Sequence, residues 1–346
     1  MNAPLKSPYT YFGGKRKVAA EIWARFGQVN NYVEPFFGSG AVLLGRPEFH
    51  TGARWIETVN DLDGFIANFW RSMRADPETT AWHADNPVIE ADLEARHGWL
   101  IQQRGNLTEK LQDPDYYDAK IAGWWVWGMS AWIGSGWCSG RGPWEWHDGR
   151  LVDTRQLPHL GDAGRGIWRQ LPHLGSAGRG ICRRLPHLGN AGQGINRNDN
   201  SLQNYFRALS ARMGNVRVCC GDWSRVCGPS VTHNHGTTAV LLDPPYSDTA
   251  GRDPRVYAMD CLRVAYDVRD WAIANGGNPL MRIALCGYEG EHDMPGDWSV
   301  FAWDAGAGFG SQARERTGNG KRERIWFSPH CLDSTQDIFS TDWSAA

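Results

Sequence analysis

Four apolar residues, Ala239 to Leu242, run directly into the tetrapeptide Asp243-Pro244-Pro245-Tyr246. A short apolar run with this boundary is typical of a strand buried inside an α/β sheet. Two consecutive prolines fix φ and keep Asp243 out of helical backbone, so the carboxylate is held rigidly where the strand ends. Because open α/β sheets bind ligands beyond the carboxyl ends of their strands, this feature predicts an α/β fold with a functional acid at the sheet edge.

The rest of the chain alternates strand and helix patterns around a long interruption in the middle. Apolar periodicity predicts helices over 17–26, 63–73, 89–104 and 201–212. Strands are predicted over 31–34, 54–59, 216–220, 239–242, 281–285, 298–303 and 323–327. The α/β pattern therefore stops before the middle of the chain and resumes after it.

A glycine-rich turn, Glu34 to Gly40, directly follows the strand predicted over 31–34. Glycines there let the backbone approach a ligand and present amide hydrogens at a helix N-terminus. Asp61 follows the next strand, in the position where nucleoside-binding sheets use an acid to accept both ribose hydroxyls. Together the two features predict a site for an adenosine-like cofactor. A plain structural turn and a helix-capping acid are the alternatives.

The interruption contains three repeats of 14 residues, which begin at Leu157, Leu171 and Leu185. Residues 155–197 hold seven arginines and one acid, although the formal charge of the whole chain is only −2. The chain as a whole therefore has no basic field that would draw it onto a polyanion, and any such field must be local. Glycine-exposed amides and arginine forks both suit phosphate, so we predict a turn-rich arm that contacts phosphates. The alternative is a solvated, duplicated loop without a partner.

Several classes of protein are disfavoured. A hydrophobic content of 41% with 21% charged residues is that of a packed globular chain. Eight cysteines lack paired C-x-x-C spacing and no secretory segment follows Met1, so we expect a reduced, cytoplasmic setting. Residues 121–140 are uncharged, but their glycines and serines predict a buried helix and loop rather than a membrane span. His233-Asn234-His235 lacks a full ligand set, so no metal is expected.

Four motifs occur in the order found in one enzyme family. They are Tyr11-Phe12-Gly13-Gly14-Lys15, Val33 to Gly40, Asn60-Asp61 and Asp243-Pro244-Pro245-Tyr246. On these motifs the chain resembles the Dam-like (D12 class) DNA adenine-N6 methyltransferases over residues 8–75 and 200–328. The resemblance implies S-adenosylmethionine as methyl donor and DNA as partner, with no membrane association. Host marking, phage self-protection and partnership with a restriction nuclease are the biological settings compatible with it.

The resemblance also implies an architecture. The expected fold is a Rossmann-like methyltransferase sheet interrupted by a target-recognition region. Residues 1–75 and 200–330 would form a discontinuous catalytic domain, 76–199 the recognition region with the repeats at 157–198, and 331–346 a tail. Trp124 to Gly142 departs from the family, because many relatives have an Asn-Arg element there and this chain has tryptophan, glycine and serine.

Roles for individual residues follow from the same resemblance. Gly221-Asp222-Trp223 lies where such enzymes contact the adenine of the donor. The expected donor-binding residues are Tyr11, Gly13, Gly14, Lys15, Glu34, Phe36, Gly38, Ser39, Gly40, Asp61 and Asp222. The expected DNA-binding residues are Arg141, Arg165, Arg169, Arg179, Arg183 and Arg184. The expected catalytic residues are Asp243, Pro244, Pro245 and Tyr246.

The chemistry of adenine explains why a rigid tetrapeptide would be needed. The exocyclic amine is a poor nucleophile inside a duplex, so the base must be flipped out. Tyr246 would stack on it, while the Asp243 carboxylate and the Pro244 carbonyl accept its two amine hydrogens. The nitrogen would then attack the sulfonium methyl in line. Cytosine-N4 methylation and a non-catalytic DNA-binding module on this fold are alternatives. Protein-glutamine methylation is disfavoured, since protein-glutamine methyltransferases have a motif resembling Asn-Pro-Pro-Tyr and this chain has Asp243 in the first position.

Overall fold

A computed structural model of the protein describes most of the chain. The described residues are 5–9, 14–47, 55–113, 115–132, 137–138, 144–147, 150–153, 201–246, 263–304 and 322–333. Tyr11, Gly13, Arg141 and the repeats at 157–198 lie outside the described residues. The predictions made for them stay predictions, as does that for most of the tail.

The described strands form one large sheet and one hairpin. They are β1 (Asn31–Glu34), β2 (Ile56–Asp61), β3 (Trp144–His147), β4 (Arg150–Asp153), β5 (Val216–Cys220), β6 (Thr238–Leu242), β7 (Met281–Tyr288), β8 (Ser299–Ala302) and β9 (Glu323–Phe327). Strands β3 and β4 pair as the antiparallel hairpin. The other seven form a sheet in the order β5-β2-β1-β6-β7-β9-β8. This mixed α/β arrangement confirms the predicted fold class and is consistent with a Rossmann-like methyltransferase fold.

The direction of the strands determines where a ligand can bind. Strands β5, β2, β1, β6 and β7 are all parallel, while β9 runs antiparallel to β7 and β8. From β1 the chain moves outward to β2, whereas from β6 it moves the opposite way to β7. The strand order thus reverses between β1 and β6, and a crevice forms outside the carboxyl ends of strands at such a point. Glu34 ends β1 and Asp243 follows β6 at this position.

Helices cover both faces of the sheet. They are α1 (Ala19–Phe26), α2 (Ala41–Leu44), α3 (Gly64–Ala75), α4 (Pro77–Ala84), α5 (Glu90–Lys110), α6 (Ala119–Ala131), α7 (Ser201–Met213) and α8 (Val264–Gly276). Side chains alternate along β6, so Ala239 and Leu241 join one buried cluster and Val240 and Leu242 join a second cluster on the other face. The strand is buried on both faces, as its continuous apolar sequence predicted.

Helices α4 to α6 pack against α3, and α4 also packs against α7. Trp125 of α6 stacks on Phe65 of α3, with ring centroids 6.4 Å apart. The N-cap carboxylate of Asp118 accepts from the backbone of Ile121 at 2.9 Å and begins α6. The helical part of the predicted recognition region thus shares a core with the sheet. Among the described helices, none is long and apolar enough to cross a membrane.

Several boundaries differ from those predicted. Strand β2 continues to Asp61, because its pairing with β5 extends as far as Asp61 and Cys220. The first helix begins at Ala19 rather than 17, after a 3₁₀ turn over Lys15–Lys17. Helix α5 ends at Lys110 rather than near Arg104, and β7 ends at Tyr288 rather than at Leu285. Helices α4 and α8 and the β3–β4 hairpin were not predicted.

Candidate active site

A pocket lies beyond the carboxyl ends of β1, β2, β5 and β6, where the strand order reverses. Its walls come from the glycine turn after β1, the end of β2, the segment after β5, the tetrapeptide after β6 and the start of α8. The lining residues are Gly14, Lys15, Glu34, Pro35, Phe36, Phe37, Gly38, Ser39, Ala41, Val42, Asn60, Asp61, Leu62, Asp63, Gly221, Asp222, Trp223, Asp243, Pro245, Val264 and Asp267.

The glycine turn is held by side chains from outside it. The Tyr9 hydroxyl donates to the Gly38 carbonyl at 2.6 Å, and the Trp70 indole N–H donates to the same oxygen at 3.1 Å. Gly40 has φ of +67°, and a Cβ there would lie 2.8 Å from the Phe37 ring. Any other residue would therefore be strained and would displace the aromatic packing. The turn has one shape, and its backbone faces the pocket.

Asp61 joins the glycine turn to the end of β2. Its Oδ2 accepts from the backbone N–H of Gly38 and its Oδ1 from that of Asp63, both at 2.9 Å. Burial raises the pKa of Asp61 to about 7, although these two amide donors oppose the rise. The backbone of Leu62 also donates to this carboxylate. A carboxylate has about four acceptor positions, so these amides do not use all of them.

The far wall of the pocket is set by Asn60 and by the turn after β5. The Asn60 side-chain amide donates to the carbonyls of Pro35 at 3.1 Å and Gly221 at 2.9 Å, which ties the two glycine turns together. Asp222 begins a 3₁₀ turn by accepting from the backbone of Ser224 at 3.0 Å. The rings of Phe36 and Trp223 stack at 6.3 Å with 27° between their planes. The wall therefore offers flat apolar surface beside an exposed acid.

Asp243 is paired with a buried lysine. The Lys15 ammonium, with a side chain only 3% exposed, lies 2.9 Å from Asp243 Oδ1 and donates to the Tyr246 hydroxyl, also at 2.9 Å. Burial opposes the charge on Lys15, but the charges of Asp243 and Glu323 outweigh it and raise the pKa of Lys15. Burial raises the pKa of Asp243, and the Lys15 ammonium opposes that rise. The charge of each group thus favours the ionised form of the other.

A second buried acid lines the pocket at the end of β1. Glu34 is 4% exposed and accepts from the Tyr32 hydroxyl at 2.8 Å. Burial raises its pKa well above the usual value, with further contributions from the charges of Asp243 and Asp61. A cationic ligand in the pocket would therefore find three carboxyl groups, Glu34, Asp61 and Asp243, close to one another.

Most of the described residues predicted for the site line this one pocket. They are Gly14, Lys15, Glu34, Phe36, Gly38, Ser39, Asp61, Asp222, Asp243 and Pro245. Gly40, Pro244 and Tyr246 do not line it. Tyr246 is buried beside the pocket, with its ring edge-on to Tyr288 at 4.5 Å. Residues 247–262, which follow it, lie outside the described part of the chain.

Sequence reasoning missed four residues with polar side chains at or beside the pocket. Tyr9 fixes the glycine turn, Asp63 and Asp267 line the pocket, and Glu323 accepts from the Tyr246 hydroxyl at 2.6 Å. For Asp63 the available signal was its position as the N-cap of α3, where it accepts from the backbone of Phe65 at 2.9 Å. Tyr9, Asp267 and Glu323 carry no local motif. Within the described residues, no group of His, Cys, Asp and Glu is placed to hold a metal ion.

Comparison with known protein families finds a similarity in the N-terminal part of the chain. Residues 11–118 match the family model for D12 class N6 adenine-specific DNA methyltransferase. The matched segment includes the glycine turn, Asp61 and helices α3 to α5. No curated protein matches the chain. The match agrees with the resemblance and includes three of its four motifs, while Asp243-Pro244-Pro245-Tyr246 lies outside the matched segment. The family is one of enzymes that methylate DNA. Residues 11–118 are therefore similar to the D12 class N6 adenine-specific DNA methyltransferases, and the strands β1 and β2 that they contain belong to a mostly parallel sheet of the Rossmann-like kind.

Proposed function

We propose that the protein transfers a methyl group from S-adenosylmethionine to N6 of an adenine flipped out of DNA. The observation that carries the proposal is the position of Asp243, which lines the same pocket as Gly38 and Asp61. Catalysis by this route needs the amine-binding carboxylate and the nucleoside-binding acid at one crevice. The reversal of strand order between β1 and β6 brings them there.

The pocket has groups that suit each part of the donor. Asp61 has acceptor positions left for the ribose hydroxyls, and Asp222 with the Trp223 ring would hold the adenine. The turn from Glu34 to Gly40 would surround the methionine part. When bound, S-adenosylmethionine supplies a methyl group on a positively charged sulfur, and the nearby carboxyl groups favour that charge.

Asp243 would accept a hydrogen of the target amine. Its Oδ1 is bonded to Lys15 and lies 3.5 Å from the Tyr246 hydroxyl, whereas within the described residues its Oδ2 makes no hydrogen bond. Oδ2 is therefore the atom that would receive the amine hydrogen, and the Pro244 carbonyl would accept the second one. Both contacts draw the nitrogen lone pair out of conjugation with the ring. Tyr246 would contribute the flat surface, and the arginines of the repeats would contact phosphates.

The decisive experiment is to incubate unmethylated genomic DNA with the protein and the methyl donor, followed by base-resolved detection of modification. N6-methyladenine at a recurrent sequence is the expected product. N4-methylcytosine would favour the second candidate, since the same tetrapeptide can hold either exocyclic amine. DNA binding without modification of any base would contradict the proposal and favour a non-catalytic module.

A further inference from the structure

A chain of hydrogen bonds runs from Lys15, which lines the pocket, through Tyr246 to Glu323, neither of which lines it. The Lys15 ammonium donates to the Tyr246 hydroxyl at 2.9 Å, and that hydroxyl donates to Glu323 Oε2 at 2.6 Å. The distance from Lys15 Nζ to Glu323 Oε2 is 3.8 Å. Glu323 is the first residue of β9, is 4% exposed and lies outside the matched segment. None of the predicted roles involves it.

The position of Glu323 follows from strand pairing rather than from any motif. It pairs with Tyr288, the last residue of β7, and the Tyr288 ring packs edge-on to Tyr246. A buried carboxylate is costly unless it is paired and hydrogen-bonded. Within the described residues, the Glu323 carboxylate is hydrogen-bonded to the Tyr246 hydroxyl and ion-paired with the Lys15 ammonium. These two groups also contact Asp243.

Glu323 determines where the hydroxyl proton of Tyr246 points. Tyr246 has one proton and two acceptors within reach, namely Glu323 Oε2 at 2.6 Å and Asp243 Oδ1 at 3.5 Å. The shorter bond takes the proton, and the hydroxyl oxygen is then able to accept from Lys15. Without Glu323 the proton would turn toward Asp243 and compete with the amine for that carboxylate.

We propose that Glu323 is a positioning residue, which holds the Tyr246 hydroxyl and the Lys15 ammonium so that Asp243 keeps one orientation toward the target amine. This inference rests on the proposed function. Glu323 does not line the pocket, so it would act only through Tyr246 and Lys15. Its removal should slow the transfer step and leave binding of the methyl donor nearly unchanged.

The test is a double-mutant cycle on the full chain with Glu323→Gln, Tyr246→Phe and the double variant. The single-turnover rate of methyl transfer to genomic DNA is measured, with donor affinity determined by calorimetry. We expect Glu323→Gln to lower the rate about 10-fold, because a misplaced acceptor loses alignment, and to change donor affinity less than about threefold. In the Tyr246→Phe background, Glu323→Gln should have a smaller further effect than in the wild type, since one of the two residues that link it to Asp243 is already altered.

Glu289→Gln is the matched control, because Glu289 is an exposed acid beside the end of β7 that pairs with Arg324 at 2.8 Å. It should keep the wild-type rate. If Glu323→Gln does not fold, as judged by circular dichroism, Glu323→Asp replaces it in the cycle. Additive effects of the two substitutions, or a wild-type rate in Glu323→Gln, would overturn the inference and leave the proposed function intact. An inactive wild-type protein would overturn both.

Discussion

Asp243 and Lys15 form a buried ion pair at the pocket, and this pairing determines what a substitution of the acid does. Asp243→Ala removes the acceptor for the amine and leaves the ammonium beside Glu323 alone. We expect methyl transfer to fall by at least about 100-fold, as for other preorganised hydrogen-bonding groups, with DNA affinity within about threefold of the wild type. Methyl transfer is measured as incorporation of tritium-labelled methyl groups into DNA, and DNA affinity is measured by fluorescence anisotropy. Asp297→Ala, at an exposed aspartate before β8, is the control. A fully active Asp243→Ala variant would exclude the mechanism.

The acid proposed for the ribose gives a pH dependence. The pKa of Asp61 is raised to about 7, so the carboxyl is ionised above that pH and protonated below it. Ribose hydroxyls need the ionised acceptor, and donor affinity should therefore fall as the pH falls through about 7. Donor affinity can fall by at most about tenfold for each unit by which the pH is lowered. Calorimetric titration with S-adenosylmethionine across this range measures the effect. Asp61→Asn should bind weakly at every pH, and a wild-type affinity independent of pH would contradict the assignment.

Among the site residues, the sequence located those that belong to local motifs. Gly38 lies in the turn after β1, Asp61 ends β2 and Asp243 directly follows β6, so strand patterns alone placed them at one edge of the sheet. Glu323 could not be located this way, because a lone acid at the start of a strand has no local signature. It reaches the site only through the antiparallel pairing of β9 with β7, which no short-range pattern encodes.

Among the elements, β2 is anchored at its buried start by an ion-pair network. Glu57, with a side chain 1% exposed, accepts from Arg46 at 2.9 Å and from two nitrogens of Arg212 at 2.7 and 2.8 Å. The Arg46 guanidinium also lies over the rings of Trp23 and Trp55, at 5.1 Å from each centroid. Arg212 belongs to α7, so the network joins the parts of the chain on either side of the repeats.

Glu57→Gln should lower the free energy of unfolding by about 3 kcal/mol, because it leaves two guanidinium groups without their buried counter-charge. Urea denaturation measures the change. Glu78→Gln provides the comparison, since Glu78 pairs with Arg207 on the surface and both side chains are about half exposed. That variant should lose less than about 1 kcal/mol. Equal losses of unfolding free energy in the two variants would show that the buried ion pairs of Glu57 stabilise the protein no more than the surface pair does.

The elements that the sequence missed had weak or misleading local signals. Helix α4 has Pro77 in its first turn and an Asp76 cap that accepts from Thr79 at 3.0 Å, but it spans only eight residues. Helix α8 follows a stretch without clear periodicity, and it buries only four small or medium-sized residues, Ala265, Val268, Ala272 and Gly276. Long or strongly apolar elements such as β6 and α3 were predictable because burial dominates their sequence.

For the whole molecule, the uneven distribution of charge predicts how DNA binding responds to salt. Replacing Arg165, Arg179 and Arg183 with alanine should weaken binding and reduce the slope of log affinity against log salt by up to about 2.7. Anisotropy titrations at several salt concentrations measure the slope. A matched variant that replaces the exposed Arg74, Arg207 and Arg217 should change it less. Equal slopes in the first variant and the wild type would favour the solvated loop without a partner.

The contact between Lys15 and Asp243 joins residues 228 positions apart along the chain. A growing polypeptide that has emerged only through the glycine turn and Asp61 has one wall of the crevice and nothing opposite it. The complete crevice can form only after β6 leaves the ribosome and inserts next to β1. Fragments cut within the repeats should therefore be inactive separately and recover activity only when both halves reassemble around β1 and β6.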